Sequence, residues 1–108
     1  MKTAKLIVMY PQPANIDEFE QRYANEHVPM AVEKLAGKTR FVASLITSCV
    51  GKEPAPFHRI AEVYFPSMQA LEDCLNSPGG QETAGHAVKI STGGAPVFLT
   101  AEVESFDF

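Results

Sequence analysis

The chain holds three histidines, and His27 is the one whose spacing says most about chemistry. It closes the series Ile16, Phe19, Tyr23 and His27, whose steps of three and four keep one helical face apolar until that face ends in an imidazole. Pro29 follows, removes a backbone donor and disfavours helical geometry at Val28, so the helix is expected to end or kink there and leave the ring beside a gap. An imidazole so placed takes or gives a proton near neutral pH with little adjustment of its reference pKa of about 6.5. The plainer reading is a ring hydrogen-bonded to a backbone carbonyl, fastening the helix end. A second group comes from the stretch Phe57 to Phe65, where period two puts His58, Ile60, Glu62 and Tyr64 on one strand face and Phe57, Arg59, Ala61, Val63 and Phe65 on the other. Imidazole, carboxylate and phenol in line can orient a ligand. An unpaired Glu62 is costly to bury, so it should meet water, a cation or a ligand. On an open strand face the same residues would be solvated polar groups and nothing more.

Other chemistries find no support in the spacing. His27, His58 and His86 occupy separate elements without the short local intervals of zinc sites, so no metal and no cofactor is expected. Gly79 with Gly80 and Gly93 with Gly94 lie in turn-like sequence that lacks a phosphate-cradling pattern. Cys49 and Cys74 have no CxxC spacing and read as reduced core residues, and Ser44, Ser48 and Cys49 have no base that spacing would supply.

Positioning these groups takes six main elements. Lys5 to Tyr10 is an apolar, partly β-branched run closed by Pro11 and Pro13, a first strand. Asn15, three residues before Glu18, caps the helix that carries His27, and a short helical stretch, Met30 to Leu35, follows before Gly37. Thr39 to Val50 reads as a long second strand, Gly51 to Pro56 as a loop and Phe57 to Phe65 as a third strand. Ser67 caps a helix that buries Met68, Leu71 and Leu75; Ser77-Pro78 starts another, ending near Lys89; and Val97 to Val103 is the last strand. The order strand, helix, strand, strand, helix, strand is met most simply by an α+β, ferredoxin-like βαββαβ unit, a four-stranded antiparallel sheet with its helices on one face. The other face then lies bare, yet the first, second and last strands carry apolar residues in both phases. Two copies pressing these faces together would cover it, so a homodimer through the open sheet face is expected.

With 108 residues the chain is sized for one domain, 1–108, and 45% hydrophobic against 20% charged residues fits a folded chain. Nine basic against thirteen acidic residues, with no basic cluster, argue against nucleic acid or an anionic membrane surface as partner. No apolar run is long enough to span a bilayer and the start lacks a signal-peptide pattern, so a cytoplasmic location is expected.

The run Glu26-His27-Val28-Pro29-Met30, the strand His58-Arg59-Ile60-Ala61-Glu62-Val63-Tyr64-Phe65, the helix after Ser67 and Ser77-Pro78-Gly79-Gly80-Gln81 together resemble the EthD family, named for proteins linked to ethyl tert-butyl ether degradation. The likeness runs from about Lys5 to Glu104, and its most specific element is the histidine, one residue, then proline. It implies a dimeric α/β barrel of ferredoxin-like subunits joined through their sheets, with small-molecule sites between helices and sheet. By analogy with methylmuconolactone methylisomerase of the wider superfamily, His27 matches the histidine of the helix-end motif.

The expectation is a protein that binds a small apolar organic molecule and acts on it by isomerase- or cyclase-like proton transfer. His27 would be the catalytic residue, and His58, Glu62, Tyr64 and Tyr23 would bind substrate. The alternatives are a non-catalytic binding or accessory protein for a hydrophobic metabolite, and a structural protein in which His27 only fastens a helix.

Overall fold

The computed structural model describes residues 2–51 and 54–108. The expected loop from Gly51 to Pro56 therefore includes two residues, Lys52 and Glu53, that lie outside the described residues. The elements run β1 (Ala4–Pro11), α1 (Ile16–Arg22), a π-helical turn (Tyr23–His27), α2 (Val28–Lys34), β2 (Arg40–Leu45), β3 (Phe57–Phe65), α3 (Met68–Asn76), α4 (Pro78–Ile90) and β4 (Val97–Glu102). All strand pairs are antiparallel, in the order β2-β3-β1-β4. This is the expected α+β, ferredoxin-like arrangement.

Alternation along β1 builds the core. Ala4, Leu6, Val8 and Tyr10 are buried beneath the helices with Ala61, Val63 and Phe65 of β3, while Lys5, Ile7 and Met9 point to the other face. The helical layer contributes Phe19, Tyr23, Ala31, Leu35, Leu71, Ala87 and Ile90. Caps fix where the helices begin: the Asn15 side chain accepts from the Glu18 amide at 3.0 Å, and the Ser67 hydroxyl from the Ala70 amide at 3.1 Å. The Ser77 hydroxyl accepts from the Gly80 amide at 3.0 Å and donates to the Cys74 carbonyl at 2.6 Å, clamping the α3–α4 elbow.

Two expectations of local structure are corrected. The first helix neither ends nor breaks at Pro29: the Val28 amide donates to the Tyr23 carbonyl, a five-residue step that widens the turn. Pro29 then falls in the first turn of α2, where a missing N–H is tolerated. The second strand does not reach Val50. Its ladder with β3 ends at Leu45 opposite Arg59, followed by one further bond from the Ile46 amide to the His58 carbonyl. There the partner strand is irregular, since Tyr10 pairs with Arg59 but Pro11 with Phe57, leaving His58 as the extra residue of a β-bulge.

Candidate functional site

His27 is brought to the sheet by the π-turn. Its ring lies in a column in which Phe19, Tyr23 and His27 are near-parallel, with interplanar angles of 16° and 23°, and Tyr10 of β1 meets all three edge-on. The imidazole is 5% exposed. Its Nε2 stands 3.2 Å from the Tyr10 hydroxyl and its Nδ1 2.9 Å from Nδ1 of His86 on α4. The other nitrogen of His86, Nε2, lies 3.3 Å from the Glu26 carboxylate, to which the Arg22 guanidinium also reaches at 3.4 Å. Tyr10, His27, His86 and Glu26 therefore form one hydrogen-bonded line from the core to an exposed carboxylate.

The electrostatics follow from burial along that line. Desolvation, with the neighbouring His86 adding to it, lowers the His27 pKa to about 4, so the ring is neutral at pH 7. Burial pushes the Tyr10 phenol well above its ordinary value. At the outer end the hydrogen bond from His86 holds the Glu26 carboxyl below the usual carboxylate range.

Beside Tyr10 and His27 lies a narrow cleft between β1, β3 and the helices, with free room of about 30 Å³. Its titratable wall residues are Tyr10 and His27; the rest of the wall is apolar apart from Thr83, whose hydroxyl is spent on the Gly79 carbonyl at 2.7 Å. Leu6, Leu75, Ala84 and Phe98 are shared with a more open hollow with free room of about 240 Å³, which marks the mouth between α4 and β4. Gly80 forms part of the wall, where a Cβ would stand 1.9 Å from the Cys74 carbonyl oxygen.

The residues expected to surround His27 divide into three groups. Tyr23 packs behind the imidazole rather than in the cleft wall, with the Arg59 guanidinium 5.2 Å from its ring centre. Burial pushes its phenol up to about 12, and among the described residues its hydroxyl is the buried side-chain polar atom without a hydrogen-bond partner. His58 does not share a face with Glu62 and Tyr64, because the bulge turns it toward α1. There it meets Glu20 at 3.0 Å and Phe19 edge-on, while Arg59 grips the same carboxylate through two bonds. Glu62 and Tyr64 lie on the opposite face of the sheet from His27, with Lys5 paired to Glu62 and the Lys5 and Arg40 cations each 5.5 Å from the Tyr64 ring centre. The sheet stands between these two residues and the cleft.

Tyr10, His86 and Glu26 were not among the residues expected at the site. Tyr10 was hidden because it ends the apolar phase Leu6, Val8, Tyr10 and reads as core, which it also is. A signal for His86 existed in its place one residue before Ala87 and three after Thr83, both on the buried face of α4, but nothing local ties α4 to His27. Among the described residues no group of three or more His, Cys, Asp or Glu side chains is arranged to hold a metal ion.

Comparison with known proteins places this geometry. The family model described as "EthD domain" matches residues 12–90. An uncharacterized 11.0 kDa protein from the thcB-thcC intergenic region of Rhodococcus erythropolis is 29% identical over 98 residues, 91% of this chain and 93% of that one. The crystal structure of an ethyl tert-butyl ether degradation (EthD) family protein from Bacillus halodurans superposes with a TM-score of 0.83 at 23% identity, covering 94% of this chain and 99% of that one. A dimeric ferredoxin-like protein of unknown function from Jannaschia sp. CCS1 gives a TM-score of 0.66 at 18% identity, again covering 94% and 99%.

Proposed function

The chain belongs to the EthD family, and from that premise we propose that it binds a small, largely apolar organic molecule in the cleft beside His27 and moves a proton on it through the Tyr10–His27 pair. One observation carries the reading: the titratable groups in the wall of an otherwise apolar cleft are a phenol and a neutral imidazole hydrogen-bonded to each other. Apolar walls supply binding by burying the ligand's carbon surface, and a paired phenol and imidazole supply the acid and base. Substrates of this class carry a C–H or O–H made acidic by a neighbouring carbonyl or ring, as occurs in ether-derived and aromatic breakdown products. His58, Glu62, Tyr64 and Tyr23 have supporting roles in this reading. His58 and Tyr23 brace the helix that carries His27, whereas Glu62 and Tyr64 belong to the sheet face offered to a second subunit. The working unit is a homodimer through that face, acting in the cytoplasm, where the free thiols Cys49 and Cys74 stay reduced. Among the described residues no helix is long and apolar enough to cross a membrane.

A second reading has its own support. Every polar side-chain group on the cleft wall is already satisfied within the protein, as suits a module that holds an apolar metabolite unchanged. A panel of small apolar ketones, lactones and phenols in D2O separates the two. Binding is read from shifts of the Leu6, Val8 and Leu75 methyl signals, and proton transfer from deuterium entering the ligand. Binding with incorporation that vanishes in Tyr10→Phe and His27→Gln is the expected result. Binding without incorporation leaves the carrier reading, and methyl signals unmoved by every compound would remove both.

A further inference from the structure

From the line of rings behind the cleft we infer that His86 and Glu26 are the outer half of a proton relay, which connects the buried Tyr10–His27 pair with solvent. The inference rests on the proton-transfer reading above and adds to it the route by which the proton leaves.

The hydrogens along the line fall into one order. Glu26 is ionised and can only accept, so Nε2 of His86 must carry a hydrogen. A neutral His86 then has a bare Nδ1, which accepts from Nδ1–H of His27. That leaves Nε2 of His27 bare to accept from the Tyr10 hydroxyl. The opposite order would set the lone pair of a neutral His86 against a carboxylate. Every member thus donates once inward-to-outward, and the acceptor at the end is exposed.

The transfer balances without a charged imidazole being stored in the core. Tyr10 oxygen takes the ligand's proton as its own hydroxyl proton passes to Nε2 of His27. The Nδ1–H of His27 passes to Nδ1 of His86, and the Nε2–H of His86 passes to Glu26, which releases it to water. The ligand is left as an anion, the Tyr10 hydroxyl is re-formed, and both imidazoles are neutral with their tautomers exchanged. Running the line in reverse returns a proton to a different atom of the ligand, which is an isomerisation. The charges around His86 are Arg22 of α1, Glu26 and His27 of the π-turn, and Glu82 and Lys89 one turn to either side on α4. Glu82 is held by Lys34 at 2.6 Å, so Glu26 is the carboxylate that meets the ring.

The test needs no ligand. In protein labelled with 15N-histidine, the ring nitrogen shifts report the tautomers, and saturation transfer from water reports how fast the His27 Nδ1–H exchanges. Expected for the unaltered protein are Nδ1–H on His27, Nε2–H on His86 and rapid exchange. His86→Gln keeps an acceptor for His27 but cannot pass a proton on, so exchange should slow by about a hundredfold, the scale of general acid–base assistance. Glu26→Ala, a change at an exposed site, should leave the fold intact while moving the His86 signals toward a mixture of tautomers. An Nε2–H tautomer on His27, or exchange and tautomers unaffected by both substitutions, would overturn the relay. If the relay stands while the ligand panel neither binds nor exchanges, the fault lies in the proposed function and not in the line of hydrogens.

Discussion

His27 is kept neutral by its surroundings, and that neutrality has a cost in stability that can be measured. Its pKa is about 4 in the folded protein and about 6.5 in the unfolded chain, so the unfolded state binds more protons between those values. The contribution is therefore fully present above pH 6.5 and is lost as the pH falls toward 4, by about 3 kcal/mol in all. The depressed carboxyls Glu20 and Glu26 lose their contribution on the same side, so the useful quantity is the difference from a variant without the imidazole. Urea midpoints of wild type and His27→Gln, compared at pH 7.5 and pH 4.5, should converge as the pH falls. A constant gap between the two would show that the ring is not buried as neutral imidazole. The position of this ring, under its helix and against the sheet, was legible in the sequence because an apolar helical stripe ending in histidine is a local pattern. Its partners were not, since Tyr10 and His86 lie 17 and 59 positions away and only the closed sheet and helix layer brings them together.

At the scale of elements, two irregularities decide what the site contains, and both are deviations from the ideal period that sequence reading assumes. The π-turn adds a residue to one helical turn and so carries the chain smoothly through Pro29, which an ideal α-helix would not allow. The bulge at His58 adds a residue to one strand and so sends that imidazole to the helix side, away from Glu62 and Tyr64. Strict alternation put the three on one face because it cannot register the extra residue. Elements with local punctuation were read closely: the third strand as Phe57 to Phe65, and the capped starts after Asn15, Ser67 and Ser77. The α3–α4 elbow yields a prediction at this scale. Gly80 packs so tightly on the end of α3 that Gly80→Ala must push the two helices apart. We expect a loss of about 2 to 3 kcal/mol, in the range of overpacked sites, together with a widened cleft. The urea midpoint measures the first, and a midpoint equal to wild type would mean that the elbow is loose.

The whole molecule is a slab, 39 × 37 × 19 Å, and among the described residues the helices lie on one side of the sheet and leave the other bare. Its accessible surface of 6570 Å² exceeds the roughly 5,900 Å² expected for a folded monomer of this mass. Part of the excess is the extended tail, where Phe106 and Phe108 stand exposed, and part is the bare face of the sheet. On the bare face the registers align Ile7, Met9, Val42, Ile60, Val97 and Leu99, with Val97 and Leu99 38% and 46% exposed, around the Lys5–Glu62 ion pair. This two-sided greasiness was readable directly from the strands, because a solvated face would have alternated with polar residues. A two-fold axis through the face would bring each apolar row against its copy and bury an area of the standard size for stable pairs, about 1,600 Å² in all. Sedimentation at micromolar concentration should therefore give a dimer. Leu99→Asp, which sets one charge from each subunit into the seam at an otherwise exposed position, should give a folded monomer with unchanged far-ultraviolet dichroism. A monomeric wild type would mean that this face is covered in some other way. A monomeric Leu99→Asp protein that still bound ligand would show that the cleft, which lies on the far side of the sheet, is complete within one subunit.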